Sequence, residues 1–166
     1  MVQPVIPNPI KSSSLQTGLT PRAAPKKEAK SVSKEVPIAD IVIQSIGKEY
    51  PGVDPRQYAA QLSVAEKKGM VKLLKMHNTV FVLKPMPNQM VELHTATIEQ
   101  PDQVVERWQK VPASLKQMGF KKMVSYSENP AVNRLVQRTG LPVKISQSQR
   151  MMGNQMVPSF KYELDL

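Results

Sequence analysis

The sequence contains no cysteine, and this absence excludes disulfide bonds and thiolate metal sites. Only two histidines are present, His77 and His94, and neither stands in a group of acidic residues with metal-ligand spacing, so we expect no metal or other cofactor. No apolar run approaches the roughly 18 residues of a membrane-spanning helix. The first residues also lack the pattern of a signal peptide. These absences predict an intracellular protein with no membrane partner.

Aromatic residues make up only 5% of the chain, which disfavours a platform for stacking single-stranded nucleic acid bases. Acidic residues are scarce too: 13 Asp and Glu stand against 23 Lys and Arg, a formal net charge of +10. Such a charge predicts contact with an acidic partner, either DNA or an acidic protein surface. The simpler alternative is that the basic surface only favours solubility.

Residues 1–36 differ in composition from the rest of the chain. They are rich in proline, serine and lysine and show no periodic apolar pattern. Because such a segment buries too little apolar surface to offset the entropy of ordering, we predict a disordered or extended arm. The alternative to a passive tail is an arm that orders against a partner protein. Its candidate partner-binding residues are Val5, Ile6, Ile10, Lys26, Lys27 and Lys30.

Residues 37–166 carry the apolar periodicities of one α/β domain. The predicted helices cover residues 37–50, 54–69, 101–118 and 129–139. The predicted strands cover residues 79–83, 90–97, 121–126, 143–147 and 160–164, with a turn at 85–88 and a hairpin connection at 151–158. Residues 70–76 fit a helix or a strand equally.

The longest predicted helix carries one apolar seam for packing on a sheet. Pro112 lies inside this helix and is expected to kink it and to remove one hydrogen bond. The seam consists of Val104, Trp108, Val111, Leu115 and Met118.

Residues 119–141 carry the clearest secondary-structure signals in the chain and predict a strand, a tight turn and a short helix. Asn129 is a good helix N-cap, and Pro130 fits the first helical position, where its missing N–H is no loss. Gly140 stands where a left-handed residue ends a helix. The expected buried stripe of this helix is Ala131, Val132, Leu135 and Val136.

This unit resembles the pattern N-x-x-A-x-x-L-Y-x-x-x-G-F of the GNAT-type acyl-coenzyme A transferases, and the resemblance extends over residues 90–166. It implies a GNAT-like α/β fold: a mixed, mostly antiparallel sheet flanked by helices. Two positions depart from the pattern. Val136 replaces a tyrosine that often acts as general acid in this family, and Leu141 replaces a phenylalanine. The matching positions are Asn129, Val132, Leu135, Val136, Gly140 and Leu141.

The family holds the coenzyme A diphosphate where a strand enters the long helix, on amides within a glycine-containing motif. The corresponding residues 96–103 contain no glycine, and Pro101 has no amide proton. Glu99 and Asp102 are expected to repel the phosphates. The resemblance also implies Glu92 as the one candidate for a general base, with a polar pair between Glu92 and His94 as the alternative. We therefore assign no catalytic, cofactor-binding or metal residue.

The domain also looks like small GNAT-like proteins of tailed bacteriophages, some of which are virion components. This resemblance predicts a non-enzymatic structural or accessory virion protein, present in the host cytoplasm before assembly. Its arm would dock onto capsid, connector or internal virion proteins, and the assembly would set the oligomeric state. The alternatives are an active N-acetyltransferase with a divergent coenzyme A site and a basic nucleic-acid-binding regulator.

Overall fold

The computed structural model describes residues 35–166. The predicted arm contacts at Val5, Ile6, Ile10, Lys26, Lys27 and Lys30 lie outside these described residues and stay predictions.

Four helices and six strands alternate along the described chain in the order ααβββαβαββ. The helices are α1 (Ile38–Glu49), α2 (Pro55–Lys67), α3 (Pro101–Gln117) and α4 (Ala131–Arg138). The strands are β1 (Lys72–Met76), β2 (Thr79–Met86), β3 (Met90–Thr97), β4 (Lys122–Ser127), β5 (Lys144–Met152) and β6 (Gln155–Asp165).

All six strands form one sheet in the order β1-β2-β3-β4-β6-β5. Only β3 and β4 are parallel neighbours; every other pair is antiparallel. The helical crossover α3 joins the parallel pair, as a parallel connection requires. The predicted fold class, a mostly antiparallel mixed sheet flanked by helices, is confirmed.

The two faces of the sheet bury different clusters because neighbouring side chains on a strand point to opposite faces. On one face, α3 covers Phe81, Leu83 and Leu93, and the Trp108 ring meets Phe81 edge-on at 6.2 Å between centroids. On the other face, α1 and α2 cover Val82 and Ala96. The layer order is therefore helix, sheet, helix.

The predicted seam of α3 is buried at Val104, Trp108, Val111 and Leu115. Met118 was wrongly placed in it: this residue follows the helix as its C-cap, and its side chain is 42% exposed. The helix continues through Pro112.

The predicted capping side chains make their hydrogen bonds, but α4 begins at Ala131, so Pro130 stands at the N-cap and not at the first helical position as predicted. Asp54 accepts hydrogen bonds from the amides of Arg56 and Gln57 at the start of α2. Asn129 Oδ1 accepts from the amide of Ala131 at 2.9 Å, and Gly140 has a positive φ of 69° after α4. These local signals fixed the two helices because each satisfies amides that the helix itself leaves free.

Several predicted boundaries are wrong. Of the two possibilities left open for residues 70–76, the strand is present, at Lys72–Met76. The strand β2 runs past its predicted end and through Pro85, which is tolerated because β1 pairs only as far as Leu83 and leaves that edge free. The turn to β3 is therefore tight rather than a long loop. The last two strands are also longer than predicted, and residues 153–154 alone connect them.

None of the helices in residues 35–166 combines the length and apolar character that crossing a membrane requires.

Candidate functional site: a cleft where the sheet divides

The parallel strands β3 and β4 pair over only three residue pairs, from Met90–Lys122 to Glu92–Val124. Beyond them, Ser125 Oγ donates to the carbonyl of Leu93 at 2.8 Å. The strands then continue to Thr97 and Ser127 without pairing with each other. The sheet is divided here, and we call the opening the split-sheet cleft.

The split-sheet cleft holds a cavity of about 490 Å³ whose walls come from both faces of the sheet. Its sides are mainly apolar, with a few polar groups on the strands, a composition typical of small-molecule sites. From the α1 and α2 face the walls are Val42, Ile46, Glu49, Tyr50 and Tyr58. From the α3 and α4 face they are Val104, Val105, Trp108, Val132, Leu135 and Val136.

The prediction that four residues of α4 form a buried stripe is wrong for three of them. Only Val136 is buried; Ala131 is exposed, and Val132 and Leu135 are half-buried because they face the cavity instead of a packed core. Val136, at the family's tyrosine position, is a wall of the cavity, so that position offers no acid.

His94 projects from β3 into the wall of the cleft, and Glu92 holds it. His94 Nε2 lies 2.9 Å from Glu92 Oε1. The Glu92 side chain is 11% exposed and forms two more ion pairs: Arg150 Nη2 lies 3.3 Å from its Oε1, and Lys84 Nζ lies 3.9 Å from its Oε2. The alternation of β3 thus brings Glu92 and His94 together on one face, as predicted.

Burial lowers the pKa of His94 below its usual value, and the neighbouring Glu92 carboxylate offsets part of that effect. The imidazole is therefore neutral near pH 7. Because an ionised carboxylate only accepts hydrogen bonds, the Nε2–H donates to Glu92 and Nδ1 carries the free lone pair. This arrangement is typical of a histidine that accepts a proton.

Tyrosines surround the α1 side of the cleft. Arg150 lies over the ring of Tyr126, with 5.5 Å between the guanidinium carbon and the ring centroid. Burial raises the pKa of Tyr50 and of Tyr58 above the usual value, so both phenols keep their protons near neutral pH. None of these residues is predicted from the sequence as part of a site: Tyr126 belongs to a predicted strand, and nothing local in the sequence connects Arg150 with Glu92.

The predicted repulsion at the entrance to α3 is wrong. Glu99 accepts two hydrogen bonds from Arg107 and one from Thr79, and its side chain is 5% exposed. Burial raises the pKa of Glu99, but the hydrogen bonds from Arg107 and Thr79 lower it by more than burial raises it. The pKa of Glu99 is therefore below the usual value. Asp102 pairs with Arg138. Each carboxylate thus has a cationic partner within the chain, buried for Glu99 and exposed for Asp102.

The fold implies coenzyme A as a cofactor, and its diphosphate would need free backbone N–H groups at the start of α3. Gln100 and Gln103 form a reciprocal capping box, so the Gln103 amide is already bonded. The amide of Val104 donates to the carbonyl of Gln100, and Pro101 has no N–H. Within the first turn of α3, the amide of Asp102 is then the one N–H that neither the helix nor the capping box uses. This helix start does not fit a diphosphate.

Residues 35–166 hold no group of three or more His, Asp or Glu side chains arranged to bind a metal ion.

No protein-family model matches this sequence, and no curated protein sequence matches it either. Solved structures do match. The microcin C7 self-immunity acetyltransferase MccE, in complex with acetyl-CoA and AMP, aligns over 77% of this chain and 87% of its own, with a TM-score of 0.56 at 12% identity. RimL, a ribosomal α-N-protein acetyltransferase in complex with coenzyme A, aligns over 77% and 86% with a TM-score of 0.54 at 9% identity.

A protein from Desulfovibrio desulfuricans, described as of the GNAT family, aligns over 80% of this chain and 95% of its own, with a TM-score of 0.57 at 11% identity. The chain has a GNAT-like fold. At these identities the likeness concerns the fold alone, and the chemistry has to be argued from the site.

Proposed function

We propose that the protein is an N-acyltransferase that acts on a primary amine in the split-sheet cleft. The observation that carries the proposal is His94, neutral and held by Glu92 on the wall of a 490 Å³ cavity. The similarity to acetyltransferases supports the same class of reaction. Of the alternatives drawn from the sequence, the acetyltransferase therefore has the stronger support.

In this proposal His94 is the general base. An amine reaches the site largely as an ammonium ion, which has no lone pair for attack. His94 Nδ1 accepts the proton, Glu92 stabilises the resulting imidazolium, and the free amine attacks the carbonyl carbon of a thioester. The tetrahedral adduct then expels the sulfur as the C–S bond breaks. The proton that the nitrogen loses on becoming an amide goes to that sulfur, and His94 returns its own proton to water. Proton transfer by a positioned base of this kind contributes about 100-fold or more to a rate.

The donor is held through its acyl-bearing arm rather than through a diphosphate, because the first turn of α3 lacks the necessary amides. The edges of β3 and β4 that face each other beyond Glu92 and Val124 have no strand partner. An extended chain containing amide groups fits such an edge. An acyl thioester of pantetheine is a donor of this class.

The test compares acetyl transfer to a panel of primary amines from acetyl-coenzyme A and from acetyl-pantetheine, which lacks the nucleotide. We expect both donors to work with similar kcat/KM. Transfer that requires acetyl-coenzyme A would show that a diphosphate site exists, whereas transfer from neither donor would end the acyltransferase proposal.

The base is tested with His94→Gln, for which we expect a loss of about 100-fold or more in kcat. The control is His77→Asn: His77 is outside the cleft and has a positive φ of 54°, which asparagine tolerates. An unchanged rate in His94→Gln would remove His94 from the mechanism.

The second candidate is the non-enzymatic virion protein predicted from the sequence, and the filled first turn of α3 favours it. In this proposal the arm carries the binding to capsid, connector or internal proteins. Mass spectrometry of purified particles tests it, and we expect deletion of residues 1–36 to abolish incorporation. Absence of the protein from particles would contradict this role.

A further inference from the structure

The strand β5 forms one end of the sheet, with β6 on one side and no strand on the other among residues 35–166. It is nine residues long, and most of its side chains are exposed on both faces. An edge strand of this length presents a row of unpaired amides and carbonyls that can pair with another strand.

The opposite edge of the sheet, β1, is far less available. It has only five residues, and two of them, Lys72 and Lys75, are lysines, a common protection of edges. Lys75 also pairs with Glu35 at 2.7 Å. Strand β5 also carries two cations, Lys144 and Arg150, but they are spread over nine residues, Arg150 is paired with Glu92, and the strand contains no proline.

Exposed apolar side chains are concentrated around β5. The large hydrophobic residues with exposed side chains in the described chain number eight, and four of them lie on the β5–β6 hairpin: Ile145, Met151, Met152 and Met156. Methionine adapts its shape to a partner, so it is common at contact surfaces. A hydrophobic patch beside a free strand edge indicates a protein interface.

The sequence of β5 is complementary to itself. When two copies pair antiparallel about Ser148, Ile145 stands opposite Met151 of the second copy, and Gln147 stands opposite Gln149. Lys144 faces Met152 and Ser146 faces Arg150, so no two like charges are directly opposed. Ile145 and Met151 share one face of the strand, and Met156 lies beside Met151 on β6. Each copy thus offers the other the same patch, as a two-fold interface requires.

We propose that two copies of this chain associate through β5, joining two six-stranded sheets into one continuous sheet of twelve strands. A single strand pair and its methionine patch form a small interface, so the dimer dissociates on dilution. Arg150 lies in the same strand and binds Glu92, so dimerisation also steadies one wall of the split-sheet cleft.

Sedimentation velocity of the full chain over a wide range of concentrations tests the proposal. We expect a dimer that dissociates on dilution. I145E and M151K alone are each expected to weaken it about tenfold or more, because each removes an apolar pair at both ends of the interface. Both positions are exposed, so circular dichroism should show unchanged folding.

The register of the proposed strand pair is tested by placing opposite charges at positions 145 and 151. In the double variant I145E/M151K, and in a mixture of the two single variants, the new charges of opposite sign face each other only in the register centred on Ser148. We expect the dimer to recover in both samples. The control M70K changes an equally exposed methionine outside the hairpin and should dimerise as the wild type does.

Three results would overturn the proposal. They are a monomer at every concentration, a dimer that the single variants leave intact, and a failure of the double variant to recover. The second would assign the association to another surface or to residues 1–34, and the third would exclude this register.

Discussion

Two glutamates near opposite ends of β3 show how differently one residue type is used in this protein. The carboxylate oxygens of Glu99 accept hydrogen bonds from Arg107 and Thr79, and its side chain is 5% exposed. Glu92 is shared among His94, Arg150 and Lys84, and two of these partners, His94 and Arg150, line the cavity of the split-sheet cleft. A carboxylate whose partners are all fixed inside the protein stabilises the fold, while one that holds a neutral histidine beside a cavity is available for chemistry.

The strongest test of this difference is Arg107→Ala. The change leaves the buried Glu99 carboxylate without its guanidinium, and breaking a buried pair in this way costs about 3–5 kcal/mol of unfolding free energy. Urea denaturation measures this loss. The double variant Glu99→Gln/Arg107→Met, which removes both charges, should recover most of it. A loss below about 1 kcal/mol in the single variant would mean that the pair is not buried in solution.

The next largest expected effect is a loss of stability at low pH that depends on Glu99. Its pKa in the folded protein is lowered, so its contribution to stability is full above its unfolded pKa of about 4.3 and disappears as the pH falls through the lower folded pKa. Stability measured by urea denaturation should therefore fall more steeply below about pH 4.5 in the wild type than in Glu99→Gln. Parallel curves for the two proteins would contradict this assignment.

A smaller change in stability, about 1 kcal/mol, is expected for Glu92→Gln, since the amide still accepts a hydrogen bond. Its main effect is on His94: the carboxylate raises the pKa of that residue against the effect of burial, so its removal should lower the pKa further. NMR titration measures this, with His77 as the internal control. An unchanged His94 pKa would show that the pair is not formed.

His94 itself makes the wild type sensitive to mild acid. Because its folded pKa is lowered, the unfolded chain takes up the proton first, and stability decreases as the pH falls from about 6.5 towards the folded pKa. In His94→Gln this part of the pH dependence should be missing when urea denaturation is repeated between about pH 7 and 5.

The smallest effect is expected for Lys84→Ala. The Lys84 side chain is 60% exposed and its ammonium lies 3.9 Å from Glu92, so the unfolding free energy should change by less than about 0.5 kcal/mol. Arg150→Ala is the matched comparison, because Arg150 is more buried and also covers Tyr126. Equal effects of the two changes would mean that Glu92 does not distinguish its cationic neighbours.

Much of the fold was predictable because its signals are local. The Asp54 cap, the Asn129 cap and the bounds of β3 each depend on residues within one turn or one strand. The lengths of β5 and β6 were not predictable, because an exposed, polar edge strand such as β5 lacks apolar alternation.

The site was harder to predict because its contacts cross long stretches of chain. Arg150 is 58 residues from Glu92, and Arg138 is 36 residues from Asp102. The sequence places these charges but cannot show which of them neutralise each other, and the expected repulsion at α3 failed for this reason. Half-buried Val132 and Leu135 looked like core residues, since the wall of a cavity and a packed core use the same side chains.

The opening in the sheet also bears on the order of events during a reaction. Since α1 borders it on one face and α3 and α4 border it on the other, the proposed donor and amine would meet between the strands. Neither has to depart before the other arrives. An acyltransferase of the proposed kind would pass its acyl group directly within a ternary complex, and double-reciprocal plots of its initial rates would then intersect instead of running parallel.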